Sequence, residues 1–196
     1  MRDRDVAAFD RRAAGYESGA IGQMHQRIVE SVADIALAAA PVPRRVLDVG
    51  CGTGAMLRLL ASRLPDAEAF TGIDPAASML RTATSVKGLD PRISFGAGVA
   101  EELPFADNDF DLLVSTTSFD HWVDQGRGLA ECARVLRSGA PLVLCDLFSP
   151  LLAPTMWLGH RGRARTKYRA TTLLTAAGFS SLTWHPAPLI KTVIAR

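Results

Sequence analysis

The chain has 196 residues, of which 48% are hydrophobic and 21% charged, so it is long enough for one domain with a core and has the composition of a globular protein. Its 22 basic and 20 acidic side chains leave a formal net charge of +2, which indicates neither a nucleic-acid nor a membrane partner. Three cysteines without CxxC spacing fit neither a disulfide framework nor a metal site, so we expect free thiols. The sequence shows no signal-peptide or membrane-spanning pattern, and we therefore expect a cytoplasmic protein.

The predicted elements begin with a helical segment over residues 1–40, in which apolar side chains recur on one stripe. From residue 44 onward, short apolar runs alternate with helical patterns. Runs such as 112–114 and 142–144 contain no alternating polar residues, which is typical of strands buried on both faces of a parallel sheet. The alternation predicts a doubly wound α/β fold in a single domain. The strand candidates are residues 45–49, 69–73, 92–95, 110–115, 141–145, 180–185 and 189–195.

Helices are predicted between these strands. We expect Asp74 to be the N-cap of one helix, with Pro75 at its first helical position. Another covers residues 171–177 and ends at Gly178. A third has one apolar face at i, i+3, i+4 and i+7, formed by Leu129, Cys132, Ala133 and Leu136.

Residues 147–169 have no convincing strand pattern and form a connection longer than usual, so we predict a substrate lid within a catalytic domain of residues 41–196. The segment carries Trp157 for apolar contact. It also carries a basic run without acids, which is either a solvated face or a contact for an acidic group: Arg161, Arg163, Arg165, Lys167 and Arg169.

The strongest motif is Val-Leu-Asp-Val-Gly-Cys-Gly-Thr-Gly at residues 46–54, where a buried strand enters a glycine turn. Such a turn lies at the carboxyl end of a strand, where open α/β sheets bind ligands. A dinucleotide-binding fingerprint is one interpretation, because Gly50, Gly52 and the acid about 20 residues further on fit it. Asp48 favours another interpretation, since a carboxylate there suits a ligand with an ammonium group and would repel a pyrophosphate.

The nine-residue stretch resembles motif I of the class I S-adenosylmethionine-dependent methyltransferases. Residues 72–80, 98–105, 109–111 and 131–139 resemble further motifs of that family. The similarity runs from about residue 9 to the C-terminus and is greatest to the small-molecule branch that includes the ubiquinone/menaquinone C-methyltransferases. It implies a Rossmann-like seven-stranded, mostly parallel sheet of order 3-2-1-4-5-7-6 with an antiparallel seventh strand. It also implies S-adenosylmethionine as cofactor and a direct displacement as the reaction.

The resemblance also implies roles for individual residues. The three glycines line the methionine and ribose part of the cofactor, Asp74 takes the ribose hydroxyls, and Met79 packs on adenine. Val99 stands where the family often has Asp, so it is expected to pack against the base. The full set of expected cofactor-binding residues is Tyr16, Asp48, Gly50, Cys51, Gly52, Gly54, Asp74, Pro75, Met79, Val99, Ala100, Glu101, Ser115 and Thr116.

The methyl acceptor is expected after the fourth strand, where His121 is the candidate general base. Phe119, Trp122 and Trp157 indicate a small, partly apolar acceptor. We expect His25, in the N-terminal helical segment, to be exposed.

Two alternatives differ in class from a small-molecule enzyme. The basic run favours an RNA or other nucleic-acid methyltransferase, but the Ser-Thr-Thr-Ser stretch at residues 115–118 lacks the Pro-Pro-aromatic tetrapeptide used on exocyclic base amines. The other alternative is a non-catalytic S-adenosylmethionine-binding partner subunit, and the sequence leaves it open.

Overall fold

The computed structural model describes residues 3–149, 166–186 and 190–196, and these form six α-helices around one seven-stranded sheet. The helices are α1 (Asp3–Arg12), α2 (Gly19–Ala39), α3 (Ala55–Arg63), α4 (Ala77–Thr84), α5 (Gln125–Val135) and α6 (Lys167–Ala176). The strands are β1 (Arg45–Val49), β2 (Ala69–Asp74), β3 (Ile93–Ala97), β4 (Leu112–Thr116), β5 (Leu142–Leu147), β6 (Leu182–His185) and β7 (Ile190–Ala195).

The sheet has the order β3-β2-β1-β4-β5-β7-β6. All pairs from β3 to β5 are parallel, and β7 is antiparallel to both β5 and β6. The predicted fold class and strand order are therefore confirmed. The carboxyl ends of β1, β2, β4 and β5 consequently meet at one edge of the sheet.

Apolar side chains fill both faces of the central strands, which explains why the sequence shows no polar alternation there. Val46 and Leu112 belong to the core cluster on the face covered by α2 and α3, whereas Leu47 and Leu113 belong to the cluster covered by α5 and α6. All four side chains are completely buried. A polar residue at any of these positions would lose its water without gaining a partner.

The N-terminal segment is helical as predicted, but it breaks between α1 and α2 at a 3-10 turn, Ala13–Gly15. The stripe of α2 packs on the sheet, whereas α1 packs on α4. A small separate apolar cluster lies between α1 and α4. In this cluster Ala13 and Met79 are buried, and Phe9 and Tyr16 are partly buried. The segment therefore lies over the carboxyl edge of the sheet.

The start of α4 differs from the prediction. The helix begins at Ala77, its N-cap is Ala76, and no side chain of that residue caps it. Asp74 is the last residue of β2, and its carboxylate instead accepts hydrogen bonds from the backbone N–H groups of Ala76 and Gly52. The Asp-Pro pair thus shapes a turn between strand and helix, and the prediction of Asp74 as N-cap is wrong.

The predicted lid at 147–169 lies mostly outside the described residues, including Trp157, Arg161, Arg163 and Arg165. Its ends are described: Leu147 closes β5, and α6 begins at Lys167, four residues before the predicted start. The helix starts early because the Thr166 side chain accepts a hydrogen bond from the Arg169 N–H, a cap that apolar periodicity does not reveal. Among the described helices, none has the length and apolar character required to cross a bilayer.

Gly50, Gly52 and Gly54, in the turn before α3, all have left-handed backbones, and the last two differ in their surroundings. A Cβ on Gly54, at φ 80°, would approach the Phe95 ring to 2.5 Å, whereas a Cβ on Gly52, at φ 53°, would meet no atom within 4 Å. An alanine at position 52 would therefore introduce backbone strain only, whereas an alanine at position 54 would add a steric clash with Phe95.

We expect Gly52→Ala to lower the free energy of unfolding by about 1–2 kcal/mol through strain alone. Gly54→Ala should lower it by about 2–4 kcal/mol, because overpacking against Phe95 is added. Urea denaturation of both variants measures the difference. Equal losses would contradict the close approach of Phe95.

Candidate active site

A cleft of about 810 Å³, counted with its open mouth, lies at the carboxyl ends of β1, β2 and β4. The turn after β1 forms its floor, and Phe9, Tyr16 and His25 of the N-terminal segment cover it from the other side. The cleft is therefore built by the sheet edge and closed by α1 and α2.

The glycine turn is held tightly between neighbouring loops. The Gly50 and Cys51 N–H groups both donate to the Ile73 carbonyl oxygen of β2, at 2.8 and 3.1 Å. A Cβ on Gly50 would lie 2.3 Å from the Ser118 side chain, which belongs to the loop after β4. Only glycine permits this approach, and the turn consequently presents backbone to the cleft.

Asp48 is the most unusual group in the cleft wall. Its side chain is 2% exposed, and its Oδ1 has no hydrogen-bond partner in the part of the chain that the structure describes. Burial, reinforced by the nearby Asp74 charge, raises the pKa of Asp48 to about 8. A buried carboxyl group without a partner is costly, and a cation entering the cleft would satisfy it.

Asp74 lies beside Asp48 and ties two loops together. Its Oδ2 accepts from the Gly52 N–H at 2.9 Å and its Oδ1 from the Ala76 N–H at 2.8 Å. Burial raises its pKa, although these two hydrogen bonds oppose the shift. Each carboxylate oxygen retains a lone pair, so Asp74 can still accept hydrogen bonds from a ligand.

The loop after β4 supplies the wall between these acids and the mouth. The Thr116 Oγ1 is buried without a hydrogen-bond partner within the described ranges, and Thr117 has φ 54°, an unusual conformation for a β-branched residue. Ser118 donates to the Val49 carbonyl oxygen at 2.9 Å and accepts from the Trp122 indole at 3.3 Å. The loop is thus fixed to β1 while Thr116 and Thr117 face the cleft.

His121 also lines the cleft and lies on a 3-10 turn, Phe119–His121, directly after Ser118. Its ring meets the Phe9 ring edge to face, with centroids 5.0 Å apart. Asp146, at the end of β5, accepts from the Asp120 N–H at 3.1 Å and so anchors this turn. Burial raises the pKa of Asp146 to about 6, an effect that backbone hydrogen bonds and the charge of His121 reduce.

Tyr16 and His25 close the cleft from the N-terminal side, with ring centroids 5.1 Å apart. Burial raises the pKa of Tyr16, against a hydrogen bond from the Thr117 side chain. His25 is partly buried rather than exposed, and burial lowers its pKa. The expectation of an exposed His25 is wrong because His25 lies four residues before the buried Val29, on the same face of α2.

Most residues expected to bind the cofactor line this single cleft. Gly54 and Ser115 do not: Gly54 packs against Phe95, and Ser115 is fully buried with its hydroxyl 2.8 Å from that of Ser118. The expected residues that line the cleft, together with the candidate base, are Tyr16, Asp48, Gly50, Cys51, Gly52, Asp74, Pro75, Met79, Val99, Ala100, Glu101, Thr116 and His121.

Of the aromatic residues expected at the acceptor, Trp122 lines the cleft, whereas Phe119 is 1% exposed and packs in the core against Trp122 and Phe148. The expectation of Phe119 at the acceptor is therefore wrong. Lining residues that the sequence interpretation missed include Phe9, Thr53 and Thr117. Phe9 and Tyr16 lie on opposite sides of the 3-10 turn, so helical periodicity gave no signal that they share the cleft.

Cys51 lines the cleft but is unsuited to nucleophilic chemistry. Burial, followed by the charges of Asp48 and Asp74, raises the pKa of its thiol well above the ordinary value. A thiol without thiolate character is a poor nucleophile, so Cys51 serves as a small residue in a tight turn.

Asp48→Asn should change how stability depends on pH. The folded pKa of Asp48, about 8, exceeds the unfolded one, so its contribution to stability is present below about pH 4 and is lost as the pH rises to about 8. As the pH rises through this window, the free energy of unfolding of Asp48→Asn should therefore increase relative to that of the wild type, by at most about 1.4 kcal/mol per pH unit. Denaturation of both proteins at pH 5, 7 and 9 measures it. A difference independent of pH would show that Asp48 does not titrate there.

Comparison with known proteins places this site in a family. A family model described as a methyltransferase domain matches residues 47–144, half of the chain. Malonyl-[acyl-carrier protein] O-methyltransferase from Geobacter sulfurreducens is 40% identical over 66% of this chain and 47% of its own length. Demethylmenaquinone methyltransferase from Thermotoga maritima is 33% identical over 72% of this chain and 61% of its own length. The chain thus spans about half to three fifths of these relatives.

A solved structure extends the likeness of fold to nearly the whole chain. A SAM-dependent methyltransferase from Thermotoga maritima superposes with a TM-score of 0.73 over 96% of this chain and 98% of its own, at 19% identity. The family model, the two relatives and the glycine turn with its acid agree. The chain belongs to the methyltransferase-domain family of the class I S-adenosylmethionine-dependent methyltransferases.

Proposed function

We propose that this chain transfers the methyl group of S-adenosylmethionine to a small, partly apolar acceptor. The observation that carries the proposal is the Asp48 carboxyl group, buried in the cleft wall with an oxygen that has no partner among the described residues. A ligand that brings an ammonium group to this point would remove the penalty of burial. S-adenosylmethionine has such a group on the α-carbon of its methionine part, whereas the pyrophosphate of a dinucleotide is an anion and offers Asp48 no cation.

The rest of the wall suits the adenosine part of the same ligand. Asp74 has lone pairs left for ribose hydroxyls and lies one loop away from Asp48. Met79 and Ala100 are buried apolar residues of the wall beyond it, and Val99 and Glu101 flank Ala100. A flat apolar base fits between such side chains, and its polar edge would meet backbone groups or Glu101.

The remaining wall provides an acceptor site. Phe9, Tyr16 and Trp122 contribute aromatic surface around His121. The charged residues of the described wall are the acids Asp48, Asp74 and Glu101, and no lysine or arginine is among them. A carboxylate acceptor would find no described cation in this wall to pair with, which favours a neutral acceptor.

The bound cofactor supplies an activated methyl group, so the chain mainly has to orient the acceptor and exclude water. The N-terminal segment covers the cleft, and Phe9 packs on the His121 ring. His121 can take a proton from an acceptor such as a phenol or an enol. The two relatives are named for different acceptors: one for a malonyl-[acyl-carrier protein], the other for a demethylmenaquinone. Their names therefore do not identify the acceptor of this chain.

A nucleic-acid acceptor is the weaker candidate. The formal net charge is +2, and one member of the basic run, Lys167, has its ammonium 5.4 Å from the Trp184 ring centroid. A polynucleotide site should bind with an affinity that falls steeply with salt. The lid at 147–169 stays a prediction. A non-catalytic partner subunit stays an alternative, which turnover of labelled S-adenosylmethionine against a fractionated metabolite extract tests.

The ligand assignment can be tested with S-adenosylhomocysteine and 5′-methylthioadenosine, two nucleosides of which only the first carries an amino-acid group. We expect wild type to bind S-adenosylhomocysteine and not NAD. Asp48→Asn should weaken S-adenosylhomocysteine by about 1.5–3 kcal/mol, the scale of a hydrogen bond to a charged group, and leave 5′-methylthioadenosine unchanged because it has no ammonium. Asp74→Ala should weaken both ligands by about 1–3 kcal/mol. Calorimetry measures all of these, and equal effects of Asp48→Asn on both nucleosides would reject the role of Asp48.

The role of His121 needs the labelled-extract assay. His121→Gln should lower the turnover number by about 10²–10⁴-fold for an acceptor that loses a proton, and should leave S-adenosylhomocysteine affinity within about twofold. His185→Gln, on β6 and outside the cleft wall, is the matched control. Full turnover by His121→Gln would mean that the acceptor requires no base at this position.

A further inference from the structure

Two acidic side chains of the N-terminal segment, Asp10 and Glu17, contact elements that border the cleft. Tyr16, which covers the cleft, lies between them in sequence. Asp10 reaches the first turn of α4, and Glu17 reaches the glycine turn after β1. The segment is therefore attached on both sides of the cleft that it closes.

Asp10 completes the start of α4. The N-cap residue of that helix, Ala76, has no side chain that could satisfy the first free N–H groups. The Asp10 Oδ1 accepts a hydrogen bond from the Ser78 N–H at 2.8 Å, so a residue of α1 provides the cap from 68 positions away. A carboxylate is also favoured at a helix N-terminus by the helix dipole. The hydrogen bond that caps α4 is consequently made only when α1 is docked against it.

Glu17 makes a small network with the glycine turn. Its Oε1 accepts from the Thr53 hydroxyl, and the Arg58 guanidinium of α3 donates to Oε1 and Oε2 at 2.8 and 3.0 Å. Arg58 also donates to the Thr53 carbonyl oxygen at 2.6 Å. Partial burial alone would raise the pKa of Glu17, but the Thr53 and Arg58 hydrogen bonds outweigh it and lower the pKa. Glu17 is therefore ionised at neutral pH.

The Glu17–Arg58 pair is partly exposed, with 47% and 25% of the two side chains accessible, so it contributes little to global stability. Its location gives it another consequence. Thr53 lies inside the glycine turn and lines the cleft, and Tyr16 is the residue directly before Glu17. A contact that is weak for the whole fold is enough to decide how one short segment docks.

We propose that Asp10 and Glu17 are positioning residues that dock Tyr16 over the ligand cleft, so that ligand affinity depends on two contacts that touch no ligand. The inference rests on the proposed cofactor site. If the segment is undocked in some of the molecules, only the docked molecules bind the ligand tightly. The apparent affinity then falls in proportion to the docked fraction.

The test uses two single alanine variants of the full chain, their double variant and a control variant, with S-adenosylhomocysteine as probe. Glu17→Ala and Asp10→Ala should each weaken binding about fivefold and speed dissociation, with the effects multiplying in the double variant. The matched control is Asp34→Ala, which breaks an ion pair between α2 and α3 with Arg63 away from the cleft, and it should bind as the wild type does. Calorimetry and stopped-flow mixing give the two quantities.

Hydrogen exchange separates docking from a general loss of structure. Without ligand, Glu17→Ala and Asp10→Ala should exchange faster across residues 6–18, and saturating S-adenosylhomocysteine should restore the protection. Faster exchange that ligand does not restore, or affinities equal to that of Asp34→Ala, would overturn the proposal. A wild type that does not bind the probe at all would overturn the cofactor site and this inference together.

Discussion

The burial of one carboxyl group, Asp48, is the constraint around which the site is arranged. Its position in β1 puts it at the carboxyl edge of a sheet whose strands are covered on both faces, and no described group donates a hydrogen bond to its Oδ1. Asp74 adds a second buried acid beside it. In the proposed function, a ligand ammonium group that pairs with this carboxyl group would offset the penalty of its burial. Stability and binding thus oppose each other at one residue.

The surrounding loops keep that edge rigid by fastening each strand end to its neighbour. The turn after β1 is bonded to β2 through the Ile73 carbonyl oxygen, and the loop after β4 is bonded to β1 through Ser118. The turn carrying His121 is bonded to β5 through Asp146. The N-terminal segment adds the last layer. The loops of the cleft floor are therefore bonded to one another, and the segment that covers them is attached through Asp10 and Glu17.

Much of the fold and part of the site followed from sequence patterns, for physical reasons. Strands buried on both faces leave long apolar runs, and a glycine turn needs its glycines, so both were visible. The position of Asp74 was ambiguous because an acid before proline suits a helix cap and a bridging turn equally. The buried Phe119 and the left-handed Thr117 had no signal, since tertiary packing alone decides them. The face shared by His25 and Val29 was visible in the helical spacing.

The raised pKa of Asp48 also bears on how binding is observed. Near neutral pH this group holds a proton, since its pKa is about 8. A ligand cation that pairs with the carboxylate must displace that proton into the surrounding buffer. The heat measured on binding then contains the ionisation enthalpy of whichever buffer receives it. Titrations in phosphate and in Tris, whose ionisation enthalpies differ, would therefore give different apparent enthalpies for the same association.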